Sequence, residues 1–68
     1  MKKITSIGDL HSRAIKDPKY STLAIMAARN LGGPASSLDE AINILTLNAM
    51  KTSEAGVVGD INFCIPLM

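Results

Sequence analysis

The feature that most constrains this chain is Leu31-Gly32-Gly33-Pro34, which separates two apolar segments of helical periodicity. Glycine readily takes the left-handed conformation that ends a helix, and proline blocks continuation of the helix beyond it. One helix must therefore end before this sequence and another must begin after it. The sequence predicts a pair of helices across residues 18–51, with the remaining segments folded against that pair.

The first helix of the pair is predicted over residues 18–31. Asp17 is a strong N-cap, because its carboxylate accepts hydrogen bonds from the free backbone N–H groups of the first turn. Pro18 fits the first helical position, where the N–H that proline lacks has no helical partner. The apolar residues that recur at helical spacing along this segment are Tyr20, Leu23, Ala24, Ala27 and Leu31.

The second helix is predicted over residues 38–51 and begins after Ser37. The Ser37 hydroxyl and the Glu40 carboxylate can each cap a backbone N–H group of the other residue. The main apolar stripe of this helix consists of Leu38, Ala41, Ile42, Leu45 and Ala49. These positions predict a helix that packs one face against the core.

A second apolar group on this helix predicts contact with another molecule. Ile44 and Leu47 lie to another side of the helix, and Met50 borders the main stripe. Between Ala41 and Met50 no residue is charged, whereas a surface helix of a monomer normally keeps a charged face. We therefore expect this helix to be covered on more than one side.

The segments outside this pair predict one more helix and an extended tail. Ser6 is a candidate N-cap for a helix over residues 7–16, with Asp9 near its positive end. After residue 56, apolar Ile61, Phe63, Ile65 and Leu67 alternate with Asp60, Asn62 and Cys64. Alternation of this kind is typical of a half-buried strand. The predicted fold is mainly α, a single small three-helix domain over residues 1–68 with an extended C-terminal arm or short strand.

The length of 68 residues limits how much apolar surface the chain can bury by itself. A domain of about 60 residues buries only about 60% of its unfolded surface and gains from disulfides, metals or association. One cysteine excludes an internal disulfide, and one cysteine with one histidine is too few for a closed zinc site. We predict no cofactor and no metal, and association with a protein partner, with a second copy, or with both.

Candidate catalytic motifs are sparse. Gly8-Asp9-Leu10-His11 resembles the first metal-binding motif of calcineurin-like phosphoesterases, but the further Asn-His and Gly-His elements of that family are absent, because His11 is the only histidine. For the same reason Cys64 has no second histidine to act as its base. We predict that the protein is not an enzyme.

Charge is distributed unevenly around a net value of +1. Residues 1–29 carry six basic and two acidic side chains, a balance of +4, and residues 30–68 carry one basic and four acidic, a balance of −3. If the central pair were a helix-turn-helix, its second helix would present Asp39 and Glu40 to the phosphates, which would repel them. Nucleic-acid binding is disfavoured on that helix. The alternative function is a small nucleic-acid-binding transcriptional regulator that uses the basic N-terminal third.

No apolar run approaches the roughly 18 residues of a membrane span. Lys2 and Lys3 are not followed by the apolar core of a signal peptide, so the predicted location is cytoplasmic, without membrane contact. Gly32-Gly33 also admits a second interpretation, as the leader cleavage site of a bacteriocin precursor.

The resulting functional prediction is a small non-catalytic protein-interaction module. Inhibitor, immunity, antitoxin-like and adaptor roles all fit that description. The residues predicted to contact a partner are Ile44, Leu47 and Met50 on the second helix of the pair and Ile61, Phe63 and Ile65 on the arm.

Overall fold

The computed structural model describes residues 1–68, which form four α-helices and a terminal 3₁₀ turn. The helices are α1 (Ile7–Lys16), α2 (Pro18–Asn30), α3 (Leu38–Lys51) and α4 (Glu54–Cys64), and the 3₁₀ turn covers Ile65–Leu67. No strand is present. The mainly helical fold is confirmed, and α1, α2 and α3 have the predicted bounds to within one residue.

Each helix begins at a side chain that caps its first turn. The hydroxyls of Ser6, Ser37 and Ser53 accept hydrogen bonds from backbone N–H groups three residues later, at 2.9, 3.3 and 3.0 Å. The Asp17 carboxylate accepts one from the Lys19 N–H at 2.9 Å. These acceptors satisfy donors that have no partner within the helix and so fix where each helix starts.

The turn after α2 depends on glycine. Gly32 has a φ of 86°, in the left-handed region that side chains with a Cβ rarely adopt. The Gly33 N–H then donates to the Ala28 carbonyl oxygen at 3.0 Å, which closes the helix end in the manner of a Schellman motif. A Cβ at Gly33 would lie 2.5 Å from a methyl carbon of Ile44, so this position also requires glycine for space.

The prediction of an extended C-terminal arm or strand was wrong, because residues 54–64 form α4. Val57, Ile61 and Cys64 are buried and recur at spacings of four and three residues, which is the helical period. The alternation of Ile61 with Phe63 and Ile65 overlaps this helical stripe at Ile61 alone. In the helix the backbone groups bond within the segment, so it needs no strand partner.

The core consists of 15 buried residues, none of them charged or polar. α2 packs against α1, α3 and α4 and occupies the centre of the bundle. Its buried alanines, Ala24, Ala27 and Ala28, allow the neighbouring helices to approach closely. The largest fully buried side chains come from all four helices and are Leu10, Leu23, Leu45, Ile61, Val57 and Cys64.

The segment before α1 lies along α4. The Ile4 N–H donates to Asn62 Oδ1 at 2.7 Å, and Asn62 Nδ2 donates to the Ile4 carbonyl oxygen at 2.9 Å. The Ile7 N–H donates to Glu54 Oε2 at 3.1 Å. Because Ile4 pairs near the end of α4 and Ile7 at its start, residues 4–7 run antiparallel to α4, and the two ends of the chain stabilise each other.

Candidate protein-interaction surface

The side of α3 that faces away from the core forms one exposed, uncharged face. We define the α3 face as Asn43, Thr46, Leu47 and Met50, all of which are exposed. Leu47 is 48% and Met50 78% exposed, whereas Leu45 on the opposite side of the helix is fully buried. An α-helix advances about 100° per residue, so Leu47 and Met50 lie on adjacent turns of the same side. Two large apolar side chains are thus presented next to each other from a rigid helix.

Charges lie only at the two ends of α3. Asp39 and Glu40 are in the first turn and Lys51 is in the last. These signs suit the positive and negative ends of the helix dipole. Over nearly three turns between them the exposed surface carries no charge.

Two polar side chains of α3 bond back to their own helix. Thr46 Oγ1 donates to the Ile42 carbonyl oxygen at 2.8 Å, and Asn48 Nδ2 donates to the Ile44 carbonyl oxygen at 2.9 Å. These bonds satisfy the Thr46 hydroxyl hydrogen and one N–H of the Asn48 amide within the helix. Those donors are therefore not presented on the outer surface of α3.

A second apolar surface lies at the C-terminal end of the chain. We define the C-terminal face as Phe63 and Leu67, which are four residues apart and are 73% and 61% exposed. Phe63 lies on the side of α4 opposite to buried Ile61, and the exposed positions one turn before it are Gly59 and Asp60. No side chain covers the surface at Gly59, since nothing lies within 4 Å of a Cβ built there.

Three of the six predicted contact residues are thus exposed, and the other three are not. Ile44 is half-buried beside Gly33, and Ile65 is half-buried against the core. Ile61 is fully buried, because it lies on the inner side of α4. In a strand, Ile61 and Phe63 would lie on the same side. Ile61 is therefore excluded as a surface contact in this fold.

Sequence reasoning missed other exposed apolar side chains. Ile15 on α1 is 70% exposed, and its position outside the stripe of Ile7, Leu10 and Ala14 was the available signal.

An open cleft of about 420 Å³ lies where the two chain ends meet, and it is lined by Met1, Lys19, Ile65 and Met68. A shallower cleft of about 330 Å³ follows the outer side of α2 between Thr22 and Asn30.

Two ionisable groups of α1, Asp9 and Arg13, are bonded to each other. Arg13 Nε lies 3.0 Å from Asp9 Oδ1, and the guanidinium lies 5.5 Å from the centre of the Tyr20 ring. The hydrogen bond from Arg13, followed by that from the Thr5 N–H, lowers the pKa of Asp9 below its ordinary value. The same contact with Asp9 raises the pKa of Arg13.

Glu40 is the corresponding carboxylate of α3. The Ser36 hydroxyl donates to its Oε1 at 2.6 Å, and the Ser36 N–H donates to the same oxygen at 3.1 Å. These two bonds lower the pKa of Glu40. Unlike Asp9, Glu40 is held by a neutral partner.

The remaining candidate chemistry is slight. The Cys64 thiol is buried and accepts from Asn30 Nδ2 at 3.0 Å. No group of three or more His, Cys, Asp or Glu side chains is placed to hold a metal ion. No helix combines the length and the apolar character that a membrane crossing requires.

The arrangement offers two apolar surfaces on a rigid bundle. Comparisons of the chain with protein-family models, with curated proteins and with solved structures found no match.

Proposed function

We propose that this chain is a small non-catalytic protein-interaction module, which binds protein through the α3 face and the C-terminal face. The observation that carries the proposal is the exposure of Leu47 and Met50 on a helix surface without charge. Burying a large apolar side chain is worth about 1.5–3 kcal/mol, so these side chains together with Phe63 supply a substantial driving force for association.

The chemistry of these side chains suits protein recognition. Aromatic rings and methionine are enriched at protein interfaces, where the ring fills a pocket and the thioether adapts to irregular contacts. Both are presented from capped helices, so little backbone conformational entropy is lost when they bind. Inhibitor, immunity, antitoxin-like and adaptor roles all use such a surface, and a regulatory role in the cytoplasm is part of the proposal. The single buried Cys64 is compatible with a reducing compartment.

The alternative, a nucleic-acid-binding regulator, has less support. Lys2, Lys3, Lys16 and Lys19 are exposed in the basic N-terminal third. Arg13, however, is engaged by Asp9 and Tyr20. A filter-binding assay across a salt series separates the two functions, because phosphate binding weakens steeply as salt is added.

The proposal is tested with the immobilised full chain and an extract of its source cells. The variants are Met50→Glu on the α3 face and Phe63→Glu on the C-terminal face. Ser12→Glu, at an exposed position of α1, is the matched control because it adds the same charge elsewhere. All three should keep the wild-type melting temperature, since exposed substitutions change stability by about 0.5 kcal/mol or less.

We expect the wild type and Ser12→Glu to retain the same protein in stoichiometric amount. Met50→Glu or Phe63→Glu should lose it, because a carboxylate would be buried without a partner in the interface. Equal retention by all four proteins would contradict the proposal. So would a wild type that retains no protein and sediments as a monomer.

A further inference from the structure

We infer that the α3 face binds the α3 face of a second copy of this chain, with the two helices antiparallel about a two-fold axis. This inference rests on the proposed function and names the partner of one of its two surfaces. It leaves the C-terminal face for a different protein.

The first argument is that the charges of α3 complement themselves in one orientation only. Asp39 and Glu40 lie at its start, Lys51 lies at its end, and the exposed positions between them are uncharged. An antiparallel pair places Lys51 of each copy near the acidic end of the other, twice over by symmetry. A parallel pair would place like charges together. The antiparallel arrangement also aligns the helix dipoles favourably.

The second argument is that the two flanks of the face each complement themselves. At about 100° per residue, Glu40, Leu47 and Lys51 lie along one flank, and Asn43, Thr46 and Met50 lie along the other. When two antiparallel helices are related by a two-fold axis perpendicular to both, each flank meets the same flank of the second copy. On the first flank, Glu40 of each copy therefore lies on the same side as Lys51 of the other copy.

These pairings agree on one register. An axis at Leu47 brings the Leu47 side chains of the two copies together and sets Met50 opposite Ile44, one residue along from Asn43 on the shared flank. Lys51 of one copy then lies at the level of Asn43 of the other. Glu40 of that second copy is three residues further, about 4.5 Å along the helix axis, which the four-carbon lysine stem can span. The apolar contact and the ionic contacts form simultaneously.

The expected interface is small. One helix pair buries less than the roughly 1,200 Å² of a standard interface, so we expect a dissociation constant on the order of 100 µM. Sedimentation equilibrium of the full chain, between about 10 µM and about 1 mM, should show a monomer–dimer equilibrium in this range. Met50→Glu should shift it to monomer, and Ser12→Glu should leave it unchanged.

Cysteine cross-linking tests the geometry. Leu47→Cys should form a covalent dimer on oxidation at least about tenfold faster than Ser12→Cys, because only the first cysteine meets its own copy at the axis. Both variants retain buried Cys64, so any contribution from that thiol appears equally in each. A mixture of Asn43→Cys and Met50→Cys should cross-link to each other faster than either does alone, whereas a parallel pair would favour Met50→Cys with itself.

Two results would overturn this inference: a wild type that is monomeric throughout the concentration series, or equal cross-linking of Leu47→Cys and Ser12→Cys. The proposed function would survive either result if the wild type retained a protein from the extract and Met50→Glu did not. In that case the α3 face binds a different chain. Preserved retention by Met50→Glu and Phe63→Glu, together with a monomeric wild type, would remove both proposals.

Discussion

α1 and α3 have similar sequences at their ends, but their solvent-facing sides differ in how their polar groups are bonded. Each begins at a serine N-cap, carries acid in its first turn and ends with lysine in its last. Two polar groups of α1 are bonded to other parts of the chain, since Thr5 donates to Asp9 and Arg13 donates to the Tyr20 hydroxyl. The outer face of α3 makes no side-chain hydrogen bond beyond its own helix between Asn43 and Met50.

The outer side of α1 is therefore bonded to other parts of the monomer, whereas the outer side of α3 is not. The bonds of α1 connect it to the N-terminal segment and to α2, so its outer side contributes to the fold. Ile15 is exposed on α1, but single exposed apolar residues are ordinary on protein surfaces. Leu47 and Met50 are adjacent and have no charged neighbour between the helix ends. The proposed binding surface is therefore placed on α3 and not on α1.

The largest expected effect contrasts the two sides of α3. Leu45→Ala should lower the free energy of unfolding by about 2–5 kcal/mol, because it leaves a cavity at a fully buried position. Leu47→Ala removes the same atoms from a half-exposed position and should cost less than about 1 kcal/mol. Urea unfolding at low micromolar concentration measures both without a contribution from association. Equal losses would mean that the outer side of α3 is packed within the monomer.

The sequence predicted α1, α2 and α3 well because the signals are local. Ser6, Asp17 and Ser37 cap the turns that follow them, and Gly32 provides the left-handed residue that ends α2. Each of these effects involves residues fewer than six apart. Exposure of Leu47 also follows locally, from its position opposite the main stripe of α3. Met50 was expected to border that stripe, but it is 78% exposed.

α4 was not predicted because its local preferences oppose its structure. Gly56 and Gly59 weaken a helix, and the β-branched residues Val57, Val58 and Ile61 favour a strand. Burial of Val57, Ile61 and Cys64 against the bundle overrides these preferences, and Ser53 caps the start. The bonds from Asn62 to Ile4 join residues 58 positions apart, which no local pattern reveals. The strand prediction had placed Ile61 among the contact residues; α4 buries Ile61 and leaves Phe63 exposed.

The second expected effect concerns the hydrogen bonds between Asn62 of α4 and Ile4, in the segment before α1. Asn62→Ala should lower the free energy of unfolding by about 1–3 kcal/mol, because the N–H and carbonyl of Ile4, a buried residue, lose their partners. The Ile4 amide should also exchange faster with solvent. Asn43→Ala on the α3 face is the matched control and should change stability by about 0.5 kcal/mol or less. If both variants behaved alike, the N-terminal segment would not be held by α4.

A third, smaller effect is the pH dependence that Asp9 gives to α1. Its folded-state pKa is lowered by Arg13, so its contribution to stability is present above its ordinary pKa and is lost as the pH falls through the lowered value. Arg13→Leu should raise the pKa of Asp9 and flatten the acid limb of a plot of melting temperature against pH. Lys16→Leu, which removes an unpaired charge from the same helix, should leave that limb nearly unchanged. A similar flattening in both variants would indicate a general charge effect.

The smallest expected effect is a difference in how salt acts on the two carboxylates. Asp9 is held by the charged Arg13, whereas Glu40 is held by the Ser36 hydroxyl and N–H. Raising the salt from about 0.05 M to about 1 M shortens the screening length to about 3 Å and weakens charge–charge attraction more than neutral hydrogen bonds. The pKa of Asp9, followed by NMR titration, should therefore rise more than that of Glu40. Equal movement would indicate that the helix dipole dominates at both sites. The two helices would then differ on their outer faces alone, which is where the proposed binding surface lies.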